Sequence, residues 1–249
     1  MSFVERQDRD GIAGLRLSSG RTNALTADAV RDLIGALDDA GKSARAVVLA
    51  GGDRFFCNGL DLGWALSRDR GELRSFFLTL AKAVTTMLTL PVPIVGAVRG
   101  HAVGAGKTLF ISCDHRIAAT GRTLLGSPEV KLGVPNPLFA DALLRKLVSD
   151  PLANDLLYNG ALLPAESLVG CGLVQEVASP GEVEDRAWRV AGELGARPRA
   201  AFAASKAMRA EDFCHRLERS LPREIEILLD CWFGDEAQRL LRAAAAPRA

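Results

Sequence analysis

The chain has 249 residues, of which 48% are hydrophobic and 24% are charged, and its formal net charge is +1. This length fits one large domain, or one domain with an appendage, and is enough to bury a sizeable core. The near-neutral charge balance argues against disorder, and against a partner that is nucleic acid or an anionic membrane surface.

The N-terminus and the cysteines bear on where the protein works. Residues 1–6 lack the apolar core of a signal peptide, and the most apolar stretch, 87–98, contains two prolines and is too short to span a bilayer. The five cysteines lie far apart without a Cys-x-x-Cys pair, which disfavours a disulfide framework or a metal site. We therefore expect a cytoplasmic protein with no metal and no membrane partner.

In chain order, the first half alternates short strands with helices. A helix is predicted over 27–40, because its apolar residues share one face and Thr26 is a suitable N-cap. A longer helix over 72–90 is expected to end before Pro91. Short apolar runs bounded by turn residues predict four strands, at 14–17, 46–50, 94–98 and 116–119.

From about Pro137 onward the chain is predicted to be almost wholly helical. A short helix at 165–172 is expected to run into a strand at 173–177. Three further helices are predicted at 182–194, 199–208 and 222–241. Strands alternating with helices, followed by a helical end, indicate an α/β core with a C-terminal helical region. The apolar residues of that last region pack either on the chain's own core or at a subunit interface.

Two loops combine small residues with a preceding strand-like run. The first reads FFCNGLDL at 55–62, and the second reads GHAVGAG at 100–106. Two such loops can direct two main-chain N–H groups at one oxygen atom, which stabilises an enolate or a tetrahedral oxyanion. The later Ser-Pro-Glu sequence adds Glu129, a carboxylate that can move protons. This combination indicates an enzyme that acts on thioester carbonyls.

These loops belong to an ordered set of motifs: TNAL at 22–25, FCNGLDL at 56–62, PIVGAVRGHA at 93–102, CD at 113–114, SPEVKLG at 127–133 and GCGLV at 170–174. In this order and spacing, the chain resembles the crotonase (enoyl-CoA hydratase/isomerase) superfamily over most of its length. The resemblance implies a crotonase-like core of repeated ββα units over 1–190. It also implies a C-terminal helical oligomerisation region over 191–249, which would assemble homotrimers or dimers of trimers.

The resemblance also implies a function in acyl-CoA or fatty acid metabolism, with a CoA thioester as substrate and no cofactor. By position, the backbone N–H groups of Leu60 and Ala105 would form the oxyanion hole, and Glu129 would be the catalytic residue. The residues expected to contact substrate are Cys57, Asn58, Gly59, Asp61, Gly104 and Thr108.

One departure from the family pattern bears on the reaction. Hydratases of the family carry two glutamates, and the first of them falls at Thr108, which cannot act as a carboxylate base. A single carboxylate is the pattern of the Δ3,Δ2-enoyl-CoA isomerases, and the segment 57–65 is also similar to that subgroup. We therefore predict an enoyl-CoA isomerase. The alternatives are hydration, thioester hydrolysis or decarboxylation with the same oxyanion hole, or a non-catalytic acyl-CoA-binding homologue.

Overall fold

The computed structural model describes residues 2–246, which form alternating strands and helices followed by a helical end. Within that range the strands are β1 (Val4–Arg9), β2 (Ile12–Leu17), β3 (Ala46–Ala50), β4 (Phe55–Cys57), β5 (Ile94–Val98), β6 (His101–Val103), β7 (His115–Ala119), β8 (Leu124–Gly126), β9 (Leu162–Pro164) and β10 (Glu176–Ala178). The α-helices are α1 (Ala27–Ser43), α2 (Leu62–Ala65), α3 (Arg70–Thr89), α4 (Ala105–Ile111), α5 (Leu138–Arg145), α6 (Asp150–Leu157), α7 (Val183–Gly195), α8 (Arg199–Trp232) and α9 (Asp235–Ala245).

The strands form two sheets, and consecutive strands are divided between them. The larger sheet has the order β1-β2-β3-β5-β7-β10, and the smaller one has the order β4-β6-β8-β9. The pairs β3/β4, β5/β6 and β7/β8 each contribute one strand to each sheet, with parallel pairing between successive repeats. This arrangement confirms the repeated ββα core, and it places the ends of β4, β6 and β8 side by side.

The larger sheet is covered on both faces, which explains why its central strands are continuous apolar runs. Every residue of β3 and of β5 is buried. One face packs in the main core with α1 and α3, through residues such as Leu33 and Leu80. The other face packs against α7, whose Val183, Ala187 and Ala191 are fully buried.

The helices α1 and α3 begin where side chains satisfy their free N–H groups. The Thr26 side chain accepts a hydrogen bond from Ala29 N, which confirms it as the N-cap of α1. The helix α3 begins two residues before the predicted start, because Asp69 and Glu72 form a reciprocal capping box. Its other end, at Thr89, precedes Pro91 as expected.

The helical end differs from the prediction in one respect. The separate helices expected at 199–208 and 222–241 are instead one 34-residue helix, α8, with Pro222 inside it, followed by α9. Proline removes one backbone hydrogen bond, but the helix continues because Leu217, Ile225 and Leu229 on either side of it are buried in the main core. None of the helices within residues 2–246 is long and apolar enough to cross a membrane.

Two smaller differences concern the boundary between core and helical end. The region predicted as helix then strand at 165–177 is a 3₁₀ helix, Ala165–Leu168, and the strand β10 starts only at Glu176. Leu173 and Val174 are still buried. These apolar residues were predicted in a strand, but they lie in a loop that packs in the main core. The expected domain boundary at residue 190 lies inside α7, which packs on the larger sheet.

Candidate active site

A cavity of about 110 Å³ lies at the ends of the smaller sheet's parallel strands. One side is formed by the loops that follow β4 and β6, and another by the segment that follows β8. Its walls are otherwise apolar and come from elements far apart in sequence: Phe76, Phe77, Leu80, Phe139, Leu228 and Trp232. A concave apolar site with a few convergent polar groups is the usual form of a small-molecule site.

The loop after β4 is held by the segment 22–25. Leu25 N donates to Gly59 O at 2.7 Å, and Asp61 N donates to Leu25 O at 3.0 Å. The buried Asn23 side chain donates to the carbonyl oxygens of Phe55 and Phe56, each at 3.2 Å. None of these bonds uses the N–H of Leu60. They also explain why the TNAL motif occurs together with this loop.

The loop after β6 turns sharply at Gly104 and passes directly into α4. Gly104 has φ +58°, a conformation that residues with a side chain rarely adopt, and its N–H donates to Gly126 O at 2.9 Å. A Cβ atom on Gly59 would lie 3.5 Å from the Ala105 nitrogen, so the two loops touch. Neither the Leu60 N–H nor the Ala105 N–H donates to another atom of residues 2–246.

The carboxylate of Glu129 approaches the loop after β6 from the segment that follows β8, the third parallel strand of the smaller sheet. Glu129 lies in a 3₁₀ helix, Pro128–Leu132, that starts two residues after β8, and Pro128 at its first position presets the backbone. A Cβ atom on Gly104 would lie only 2.9 Å from Glu129 Oε1, which shows how close this oxygen is to the second loop. The other oxygen, Oε2, is buried and has no hydrogen-bond partner among the described residues.

The surroundings of Glu129 shift its ionisation. Burial raises the pKa of Glu129 above its usual value, and the charge of Lys107 acts in the opposite direction. The residue is half-buried as a whole because one side of it lines the cavity. Within residues 2–246, Glu129 is the only ionisable side chain that lines the cavity.

Most of the residues predicted for the site meet at this cavity. Those that line it are Asn58, Gly59, Leu60, Gly104, Ala105, Thr108 and Glu129. The hydroxyl of Thr108 is within hydrogen-bond distance of Gly104 O, at 3.2 Å, so it already has an acceptor inside its own helix turn.

Cys57 and Asp61, which were expected to contact substrate, do not line the cavity. The Cys57 side chain is fully buried in the core, and burial raises its pKa to about 12, which excludes a reactive thiolate. The Asp61 carboxylate accepts from Trp64 N at 2.9 Å and thereby caps α2. Both residues therefore shape the loop from outside the cavity.

Two features of the site were not predicted from the sequence. The apolar walls from α3 and α8 carry no motif, because their residues read only as ordinary helix faces. Lys107 in α4 is fully buried, although lysine is among the residues least often buried. Its place in the glycine-rich turn was visible in the sequence, but its burial was not.

The comparisons with known proteins agree with this architecture. The model of the enoyl-CoA hydratase/isomerase family matches residues 7–239. Over 199 residues, 79% of this chain and 77% of the relative, the chain is 32% identical to a probable enoyl-CoA hydratase of Mycobacterium avium. Over 213 residues, 84% and 82% of the two chains, it is 28% identical to a crotonyl-CoA hydratase of Syntrophomonas wolfei.

A solved structure extends the similarity to the whole fold. Human mitochondrial Δ3-Δ2-enoyl-CoA isomerase superposes with a TM-score of 0.92 at 22% identity, over 97% of this chain and 96% of that one. The two interleaved sheets and the C-terminal helices thus define a crotonase fold. The chain belongs to the enoyl-CoA hydratase/isomerase family, whose members are enzymes that act on acyl-CoA substrates.

Proposed function

We propose that the enzyme is an enoyl-CoA isomerase that moves the double bond of a 3-enoyl-CoA to the 2-position. Glu129 takes a proton from C2, and the electron pair delocalises onto the thioester oxygen as an enolate. The N–H groups of Leu60 and Ala105 bind that oxygen. The protonated Glu129 then delivers the proton to C4 while the C3–C4 double bond becomes the C2–C3 double bond. This sequence of steps uses no cofactor and no metal ion.

The observation that carries the proposal is the single carboxylate at the cavity. Among the described residues that line it, Glu129 has the only ionisable side chain, whereas family hydratases use two carboxylates. Returning one proton to a second carbon needs only one group that alternates between base and acid. A pKa raised by burial suits this task, because it brings the pKa of Glu129 closer to the working pH.

Hydration of a 2-enoyl-CoA is the second candidate, and the names of the M. avium and S. wolfei relatives favour it. It would require the side chain at position 108 to direct a water molecule with Glu129. The Thr108 hydroxyl is neutral and has the Gly104 carbonyl as acceptor. A hydroxyl can orient water but cannot take its proton at neutral pH.

The two candidates are separated by supplying each substrate to the purified enzyme. We expect a 3-enoyl-CoA to gain the ultraviolet absorption of a conjugated enoyl thioester, and crotonyl-CoA to lose that absorption at least about tenfold more slowly. Faster loss from crotonyl-CoA would instead assign hydration. Proton exchange at C2 of a saturated acyl-CoA in heavy water provides a further control, since a non-catalytic acyl-CoA-binding protein would produce none.

We further propose that the C-terminal helices mediate assembly into homotrimers, or dimers of trimers. Large apolar side chains stay exposed on the single chain at Met208 and Ile227 of α8 and at Phe233 after it. Exposed apolar surface of this kind is commonly covered by another subunit. Light scattering after size-exclusion chromatography is expected to give about three or six times the mass of one chain. A monomer at micromolar concentration would contradict this assignment.

A further inference from the structure

The cavity is small compared with most ligand sites. Its volume is about 110 Å³, whereas the clefts that bind drug-sized molecules commonly measure about 300 to 1,000 Å³. An apolar protein cavity of about 150 Å³ holds a six-carbon ring. Because the same space must also receive the thioester carbonyl beside Leu60 and Ala105, its volume corresponds to an acyl chain of about four carbons.

The wall that α3 contributes to the cavity is held by packed aromatic rings. Phe76 and Phe77 meet edge to face, with their ring centroids 5.3 Å apart. The ring of Phe76 also lies 5.4 Å from that of Trp64, measured between centroids, and Phe76 is only 1% exposed. Side chains packed in this way leave few voids and cannot move without disturbing their neighbours. A longer acyl chain therefore gains no room on this side.

A second wall comes from α8 and from the loop before α5. Leu228 and Trp232 lie one helical turn apart on α8, line the cavity and are buried. Pro135, Pro137 and Leu228 line both the cavity and a separate surface groove of about 250 Å³. The wall is therefore one residue thick at this point, and the groove lies directly behind it.

Ion pairs between α3 and α8 hold Leu228 in this position. Glu226 and Asp230 flank Leu228 on α8, and both bind Arg70 of α3: Arg70 Nη2 lies 2.9 Å from Glu226 Oε2 and 2.6 Å from Asp230 Oδ1. Arg74, one turn further along α3, also pairs with Glu226. Charges that form a network restrain a geometry better than an isolated surface pair does. This network restrains the rotation of α8 about its own axis, so that Leu228 keeps facing the cavity.

We propose, on the basis of the function proposed above, that the enzyme is specific for short acyl chains of about four carbons and that Leu228 sets this limit. A chain of this length fills the apolar space between Glu129 and the wall formed by α8. The terminal carbons of an octanoyl chain would have to displace Leu228. The additional methylene groups then find no apolar space, and the displaced leucine loses its own packing contacts.

The first test measures the binding of saturated acyl-CoAs of increasing length to the natural enzyme by calorimetry. Affinity is expected to rise about fourfold for each methylene group from acetyl-CoA to butyryl-CoA, because each added group is buried. Octanoyl-CoA is expected to bind at least about tenfold more weakly than butyryl-CoA. A smaller loss, or tighter binding of octanoyl-CoA, would overturn the proposal without the use of any variant.

The second test opens the wall. Leu228→Ala removes three carbon atoms and joins the cavity to the groove, so it should bind octanoyl-CoA at least about tenfold more tightly than the natural enzyme does. The matched control is Leu229→Ala, since Leu229 is the next residue of α8 and is fully buried in the main core without lining the cavity. This control should keep the natural preference for butyryl-CoA. If both variants gain octanoyl-CoA binding, or if neither does, Leu228 does not set the limit.

In case Leu228→Ala does not fold, Leu228→Val removes one carbon atom and should give a smaller gain in the same direction. An unchanged affinity of Leu228→Val for octanoyl-CoA would contradict the assignment of Leu228. Because these binding measurements involve no turnover, a short-chain limit together with absent isomerisation would contradict only the proposed function. Isomerisation of four-carbon and eight-carbon 3-enoyl-CoAs with equal kcat/KM would contradict only the inference about chain length.

Discussion

Glu129→Gln is expected to reduce the rate of double-bond isomerisation by a factor of about 10² to 10⁴, the usual contribution of a positioned acid–base group. Glutamine keeps the shape of the side chain but cannot accept the C2 proton. Glu129 is the only ionisable side chain among the described residues of the cavity, so no second group can replace it. The effect should appear in kcat, measured with a 3-enoyl-CoA under saturating conditions.

Binding of an acyl-CoA should be nearly unchanged in Glu129→Gln, as measured by calorimetry with a saturated acyl-CoA. The Leu60 and Ala105 N–H groups and the apolar walls make the proposed contacts with the thioester and acyl chain, and none of these is altered. Glu211→Gln is a suitable control because Glu211 is exposed on α8. Full isomerase activity in Glu129→Gln would show that the base has been assigned to the wrong residue.

Gly104→Ala is expected to lower kcat by about 10², although it removes no functional group. The backbone at Gly104 has φ +58°, and a Cβ atom there would lie 2.9 Å from Glu129 Oε1 and 3.8 Å from the Cα atom of Gly59. The carboxylate must therefore move, and the turn that aims the Ala105 N–H must distort. A misplacement of about 1 Å can cost about 100-fold in rate, and loss of one oxyanion donor has a similar effect.

The matched control for this variant is Gly170→Ala. Gly170 also has a positive φ, +82°, but a Cβ atom there would meet no atom within 4 Å. Both variants should lose about 1 to 2 kcal/mol of stability from the unfavourable backbone conformation. Only Gly104→Ala should also lose kcat. If the two variants retain the same kcat, the close approach of Gly104 and Glu129 is not important for the reaction.

Local sequence signals predicted the elements that depend on short-range interactions. The strands β3 and β5 were predicted with the observed bounds, because short apolar runs between turn residues form buried parallel strands. Thr26 was predicted as the cap of α1 for a similarly local reason, since a cap bonds within its own turn. The missed continuation of α8 through Pro222 has a tertiary cause, because packing of the flanking apolar residues outweighs the lost hydrogen bond.

The sequence by itself determined which backbone groups and which carboxylate could take part in the site. Gly104, Ala105 and Glu129 follow consecutive strands of one sheet, and the backbone shape at Gly104 depends on glycine alone. Only the tertiary structure decided which side chains reach the cavity: Thr108 does, Cys57 does not, and the walls come from distant helices. Burial, and the pKa shifts that follow from it, arise where elements far apart in sequence pack together and exclude water. The burial of Lys107 is therefore a property of the folded chain that no local pattern could reveal.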